Sequence, residues 1–475
     1  MTTNENRLRD EARKEVDKLE KKYADRLQVN KALSRSVVSF QANKVEPIFR
    51  WFKYKEGFSR ALVDYCLDHV HAKRGGALLD PFAGTGAAVF TAAKRGVNGI
   101  AIELLPVGAY FMKARQFVAS TRKDQIVKWA TEAVEKKQWK KASSHWEFPH
   151  LRITKGAFPK ETEQAISKYK THLLGLKSGQ AQLLDFVLFS VLEEISYTRK
   201  DGQYLRWDYR APRKNLRTKF DKGHIASFDE AICKKFDQIR SDLTELPQKD
   251  LFDDSNDDDE ARANGVDIEI KHGPNFALLD EIKDKSIDYV ITSPPYCNRY
   301  DYTRTYALEL AYLGVDEVEI RKLRQELLTC TVEHRAKEYN LADKKVVTAG
   351  MEAFYASKCM NSVIAFLNSE KEKGLLNNNG IVTMVTGYFL DTAVHLAQVH
   401  KKLRKGGSYF MVNDNVRYNG LDIPVDCLLS EMAEFVGFNC KKIWVLPIGK
   451  GNSSQQMKKH GRSELRKCVY VWQKR

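Results

Sequence analysis

Gly75-Gly76-Ala77-Leu78-Leu79-Asp80-Pro81-Phe82-Ala83-Gly84-Thr85-Gly86 is the stretch whose reading decides the fold. Two glycines release the chain into a short apolar run, Ala77–Leu79, which predicts a buried strand. A Gly-x-Gly turn follows Asp80, and Ala87–Lys94 restarts helical composition, with Gly96 placed as its C-terminal cap. Gly99–Ile102 predicts a second strand with Glu103 at its end. Strand, glycine turn, helix, strand and acidic residue make the first half of a doubly wound sheet.

Upstream, Phe58, Leu62, Tyr65 and Cys66 recur at helical spacing and predict an amphipathic helix over Gly57–Val70. Residues 5–35 are densely charged and free of Pro and Gly, which predicts an exposed helix or a packing arm. Residues 1–45 are therefore read as an N-terminal helical arm. Downstream, the βα rhythm stops. Residues 121–264 are read as a largely helical insertion and a candidate target-recognition region, with Arg304–Lys345 a competing location. Strands resume at Val266–Ile270 and Ile287–Thr292. Phe389, Ala393, Leu396, Val399 and Leu403 mark a helix stopped by Gly406-Gly407, and Ser408–Val412 is the next strand. Pro424 opens another helix, and Lys442–Pro447 and Cys468–Trp472 read as a final antiparallel pair. The expected class is α/β: a Rossmann-like, doubly wound, mostly parallel sheet over 46–120 and 265–475.

Net charge is +16, from 78 Lys+Arg against 62 Asp+Glu, which points to a polyanionic partner such as nucleic acid. The acidic run Lys249–Glu260 reads as a solvated linker and leaves the rest more basic. Eight scattered cysteines show neither C-x-x-C pairs nor zinc-ligand spacing, so free thiols and no metal site are expected. Cys297 stands out by its position beside the second motif. No run of eighteen apolar residues occurs and the N-terminus lacks a signal-peptide core, so no membrane association and a cytoplasmic location are expected. Oligomeric state is not legible.

The glycine turn lets backbone approach a ligand at the carboxyl end of its strand. It is not the G-x-G-x-x-G of dinucleotide sites, because Val89 takes the third position, and no Gly-Lys-Ser/Thr follows as in a Walker loop. Glu103 is placed to accept hydrogen bonds from two ribose hydroxyls. The second motif is Thr292-Ser293-Pro294-Pro295-Tyr296, directly after a predicted strand. Two prolines fix φ and remove two amide donors, so nearby carbonyls can face a cavity as acceptors. Such acceptors suit an exocyclic amine, whose lone pair is otherwise delocalised into its ring. Ser293 adds a hydroxyl, and Tyr296 offers a face for stacking a base.

DPFAGTG together with TSPPY resembles the S-adenosylmethionine-dependent amino-methyltransferases that modify DNA, of bacterial or archaeal restriction-modification type. Ser at the head of S-P-P-Y is typical of the cytosine-N4 members. The resemblance implies that Asp80, Phe82, Gly84 and Gly86 contact the cofactor's methionine part. Glu103 would hold its ribose, and Asn275 or Phe276 its adenine. Phe58 and Ser59 look like the family's additional N-terminal cofactor motif, and Ser293, Pro294, Pro295 and Tyr296 form the catalytic loop. It implies S-adenosyl-L-methionine as cofactor, double-stranded DNA with a flipped base as substrate, no metal, and a cognate restriction endonuclease as partner.

Two polar, basic stretches are candidate DNA contacts: Ser196–Arg210, with Arg199, Lys200, Gln203 and Arg206, and Gly451–Arg466, with Gln455, Gln456 and Arg462. Asn298, Arg299 and Tyr300 follow the catalytic loop and join them. The rival readings are an adenine-N6 DNA methyltransferase, an RNA base methyltransferase and a non-catalytic nucleic-acid-binding subunit.

Overall fold

A computed structural model of the chain describes residues 3–201, 204–213, 219–245, 265–447 and 464–475. In chain order its strands are β1 (Leu27–Val29), β2 (Ala77–Asp80), β3 (Asn98–Glu103), β4 (Thr198–Asp201), β5 (Tyr204–Trp207), β6 (Ile268–His272), β7 (Ile287–Thr292), β8 (Leu403–Asp414), β9 (Val416–Tyr418), β10 (Leu421–Ile423), β11 (Phe438–Val445) and β12 (Lys467–Lys474). Four helices are used below: α1 (Thr3–Lys22), α2 (Arg60–His69), α3 (Ala87–Lys94) and α4 (Pro106–Ser120). The central sheet has eight strands in the order β1-β11-β12-β8-β7-β2-β3-β6, with β4–β5 and β9–β10 as separate hairpins. Neighbours run parallel except β12, which is antiparallel to both β8 and β11. β3 and β6 extend from β2 in one direction, and β7 and β8 in the other. The carboxyl ends of β2 and β7 therefore border the crevice in which open α/β sheets bind ligands.

Successive strand residues face opposite sides, so each strand feeds two cores. Leu79, Val290, Tyr409 and Met411 pack under the helices Lys358–Glu372, Ile381–Lys402 and Val425–Phe435. Leu78, Ile291, Phe410 and Val412 pack under α2 and α3. Both faces are covered, which is why these strands read as continuous apolar runs.

Two expectations change. The N-terminal segment is not an exposed arm. Ala12, Val16, Leu19 and Tyr23 form a narrow stripe at 3.6-residue period, buried in the main core, and β1 then joins the sheet beside β11. The dense charge around the stripe conceals it in the sequence. The helical insertion is also not a closed unit. Its core takes in Ile48, Trp51, Phe52 and Tyr54 from upstream, Val107 and Phe111 of α4, and Tyr306–Leu323 from downstream. Burial follows these contacts and not the boundaries at 121 and 264. Among the described residues no helix is long and apolar enough to cross a membrane.

Candidate active site

β2 carries Asp80 into the interior, where its Oδ1 accepts hydrogen bonds from the Thr292 hydroxyl at 2.6 Å and the Phe82 N–H at 3.1 Å. The first of these ties together the ends of the two strands that border the crevice. Asp80 Oδ2 is buried with no hydrogen-bond partner. Burial pushes this carboxyl up to about 7, against the pull of its two donors. The turn that follows holds Gly84 at φ +53° and Gly86 at φ +78°, the left-handed region that favours glycine. A Cβ on Gly84 would lie 2.8 Å from the ring of Tyr54.

The Gly84 N–H donates to Glu103 Oε2 at 2.6 Å and the Leu105 N–H to Oε1 at 2.7 Å. These bonds fix the carboxylate and leave a further lone pair on each oxygen. Burial also pushes Glu103 up to about 7, outweighing the two backbone donors. Two buried acids with raised pKa values beside a cavity make this end of the sheet a candidate ligand site.

Beyond the turn opens a partly enclosed cavity. Phe82, Gly84 and Glu103 line one part of it, and Ser293 and Pro295 another. Ser293 Oγ lies 3.0 Å from the Tyr296 hydroxyl, and the Lys467 ammonium is 5.3 Å from the centre of the Tyr296 ring. Cys297 is fully buried and burial drives its thiol pKa up, so it is not a nucleophile. Its carbonyl accepts the Tyr418 hydroxyl at 2.7 Å, which holds the loop from behind.

No family model matches the chain. Over 463 aligned residues it is 44% identical to the type II methyltransferase M.AvaI of Nostoc sp., and likewise to that of Anabaena variabilis, covering 96% of this chain and 92% of the relative. It is 40% identical over 481 aligned positions to the type II methyltransferase M.BsoBI of Geobacillus stearothermophilus, covering 96% and 91%. The chain belongs to the type II methyltransferases. Such enzymes methylate DNA within restriction-modification systems.

In this methyltransferase the cavity gathers seven residues singled out from sequence: Phe58, Phe82, Gly84, Glu103, Asn275, Ser293 and Pro295. Others stand behind its wall. Gly86 starts α3 and Ser59 starts α2, where the serine hydroxyl donates to the Val37 carbonyl at 2.5 Å. The Phe276 ring packs edge-on against Tyr339, with centroids 5.4 Å apart. Pro294 is buried, and Tyr296 lies half-buried beside Lys467. Asn275 spends its amide on the Pro81 carbonyl at 2.6 Å and on His395 at 3.0 Å.

Among the candidate DNA contacts, Arg199 is exposed and Arg206 pairs with Asp201 at 2.8 Å. Lys200 is corrected: it is 2% exposed and ion-paired with Glu309 at 2.5 Å, because β4 turns alternate residues inward. Arg299 adopts φ +66° and its Nη1 donates to Asn377 Oδ1 at 3.3 Å. Asn298 donates its N–H to the Tyr296 carbonyl at 2.8 Å, and Tyr300 donates its hydroxyl to Glu56. Gln203, Gln455, Gln456 and Arg462 lie outside the described residues. Sequence reasoning missed Tyr54, Glu56, Leu327 and Leu328, all on the cavity wall. The first two stand in the same YKEGFS stretch as Phe58, and this proximity was the available signal. The leucines come from a helix end that carries no motif.

Proposed function

We propose that this chain transfers a methyl group from S-adenosylmethionine to the exocyclic N4 amine of cytosine in double-stranded DNA, with the target base flipped into the cavity. One observation carries the reading: a single cavity joins the glycine turn and Glu103 to Ser293 and Pro295 of the T-S-P-P-Y loop. The residues fit the cofactor. Asp80 Oδ2 is a buried acceptor without a partner, and Glu103 keeps lone pairs free for ribose hydroxyls. Bound there, S-adenosylmethionine supplies a methyl group activated by its sulfonium.

The chain's own residues position the amine and exclude water. Ser293 Oγ and the carbonyls of the Pro-Pro loop accept the amine's N–H bonds, and Tyr296 both orients Ser293 and offers its half-buried ring to the base. Catalysis then rests on orientation more than on a strong base. A flipped base costs a few kcal/mol of unstacking, offset by aromatic and phosphate contacts. Ser293 at the head of the loop supports cytosine over adenine by its resemblance to the cytosine-N4 enzymes. A cognate restriction endonuclease acting on the same site, in the cytoplasm, is a partner compatible with this reading.

The test is nucleoside mass spectrometry after incubating the protein and S-adenosylmethionine with unmethylated genomic DNA and, separately, total RNA. N4-methylcytosine in DNA is the expected product. N6-methyladenine would replace the base in this reading. Product confined to RNA would overturn it, and no product in either pool would favour a silent subunit.

A further inference from the structure

Besides Glu103 the cavity wall carries two carboxylates to which the motifs give no role, Glu326, paired with Lys322 at 3.8 Å, and Glu56. Glu56 lies two residues after Tyr54 and two before Phe58, and all three line the cavity. Glu56 Oε1 accepts the Tyr300 hydroxyl and Oε2 the Tyr306 hydroxyl. Among the described residues no Lys, Arg or His forms an ion pair with it. Of the nearby cations, Lys200 is committed to Glu309 at 2.5 Å and Lys55 donates to the Lys200 carbonyl. Burial raises the Glu56 carboxyl above the usual range, although both phenols and Lys200 oppose the shift. The buried Tyr54 ring stacks on Tyr306, whose hydroxyl holds Glu56, and lies against Gly84, whose N–H holds Glu103, so Tyr54 stands between two acidic stations of one cavity.

The two stations differ in what they ask of a ligand. Glu103 is held by two backbone N–H groups, and its remaining lone pairs suit neutral hydroxyl donors. Glu56 is held by two neutral phenols and forms no direct ion pair among the described residues, Lys200 and Lys55 acting on it only from further off. A half-buried carboxylate without a direct ion-pair partner is costly, and a cationic donor reaching it removes that cost. A nucleobase is neutral, and so are adenine and ribose. A sulfonium is charged but donates no hydrogen bond. Of the groups the proposed reaction brings to this cavity, only the ammonium of the cofactor's amino-acid part is both a cation and a donor.

We infer that Glu56, positioned by Tyr300 and Tyr306, binds the α-ammonium of the cofactor, an assignment that rests on the cofactor reading above. The remaining lone pairs of its two oxygens accept the ammonium protons, and Tyr54 separates this contact from the ribose contact at Glu103.

The test titrates S-adenosylhomocysteine and its analogue lacking the α-amino group into the full chain, wild type and Glu56→Gln, by calorimetry. Wild type is expected to bind the deamino analogue about ten- to a hundredfold more weakly, the span of a hydrogen bond to a charged group. Glu56→Gln is expected to bind the two ligands alike, near the wild-type affinity for the analogue. 5′-Methylthioadenosine, which lacks the whole amino-acid part, is expected to bind both proteins equally. Wild type binding both homocysteine ligands equally would overturn the inference even if the variant failed to fold. A folded variant that still prefers the ammonium-bearing ligand would overturn it too. Wild type failing to bind S-adenosylhomocysteine at all is a distinct result, and it removes the cofactor reading together with the inference.

Discussion

At the scale of single residues, the glycine turn is the least replaceable feature. Gly84 combines a left-handed φ with a Cβ position 2.8 Å from the Tyr54 ring, so Gly84→Val meets both backbone strain and a clash. It is expected to abolish S-adenosylhomocysteine binding in calorimetry, and normal affinity would sink the pocket assignment. Of the two raised acids, Glu103 at the end of β3 makes binding depend on pH. Asp80 and Glu103 are raised by burial to about 7, so each holds its proton longer in the folded protein than in the unfolded chain. Their contribution to stability is therefore fully present below their ordinary range, near pH 4, and is lost as pH rises through about 7. Ribose hydroxyls need the ionised Glu103, so cofactor affinity runs the other way. The dissociation constant is expected to fall by about tenfold from pH 6 to pH 8, one pKa unit being about 1.4 kcal/mol. Glu103→Gln should flatten that profile, and a flat wild-type profile would remove Glu103 from the cofactor site.

At the scale of elements, the β4–β5 hairpin shows how one strand serves two purposes. Arg199 faces solvent, while Lys200 turns inward to Glu309, which is 1% exposed, and Glu193. Burial alone would lower the Lys200 pKa, but the two glutamates outweigh it and raise it. Lys200→Met leaves Glu309 buried without its counter-charge and is expected to cost about 3–5 kcal/mol in urea denaturation. Arg199→Ala is expected to leave stability within about 0.5 kcal/mol and to weaken DNA binding with a shallower salt dependence. The reverse pattern would mean that the hairpin sits the other way up.

At the scale of the whole molecule, the N-terminal segment belongs to the catalytic body. α1 lays Ala12, Val16, Leu19 and Tyr23 into the main core, the Tyr23 hydroxyl donates to Glu434 at 2.7 Å, and β1 covers the edge of β11. Deleting residues 1–30 uncovers that core and edge together. The three large side chains lost from that core, Val16, Leu19 and Tyr23, at about 1.5–3 kcal/mol each, take a large share of the margin of about 5–15 kcal/mol that keeps a domain folded. The truncated chain is expected to melt far lower or to aggregate, as exposed sheet edges do. An unchanged melting temperature would restore the view of a detached arm.

The sheet's central strands, the glycine turn and the T-S-P-P-Y loop were legible in the sequence because each is a local signal. Apolar runs between glycines define buried strands, Gly84 and Gly86 mark backbone that only glycine adopts easily, and adjacent prolines leave a loop without donors. The stripe on α1 was present but hidden among charges. Which residues share the cavity was decided by tertiary structure alone. Glu56 reaches it because Tyr300 and Tyr306, some 250 residues away in the chain, hold its carboxylate. Leu327 and Leu328 reach it as a helix end that packing delivers to the wall. Lys200 left the candidate DNA surface because Glu309, 109 residues away, makes the interior its lower-energy place. Motifs record what the nearby backbone must do, whereas hydrogen bonding, packing and charge pairing across the fold decide which side chains face the cavity.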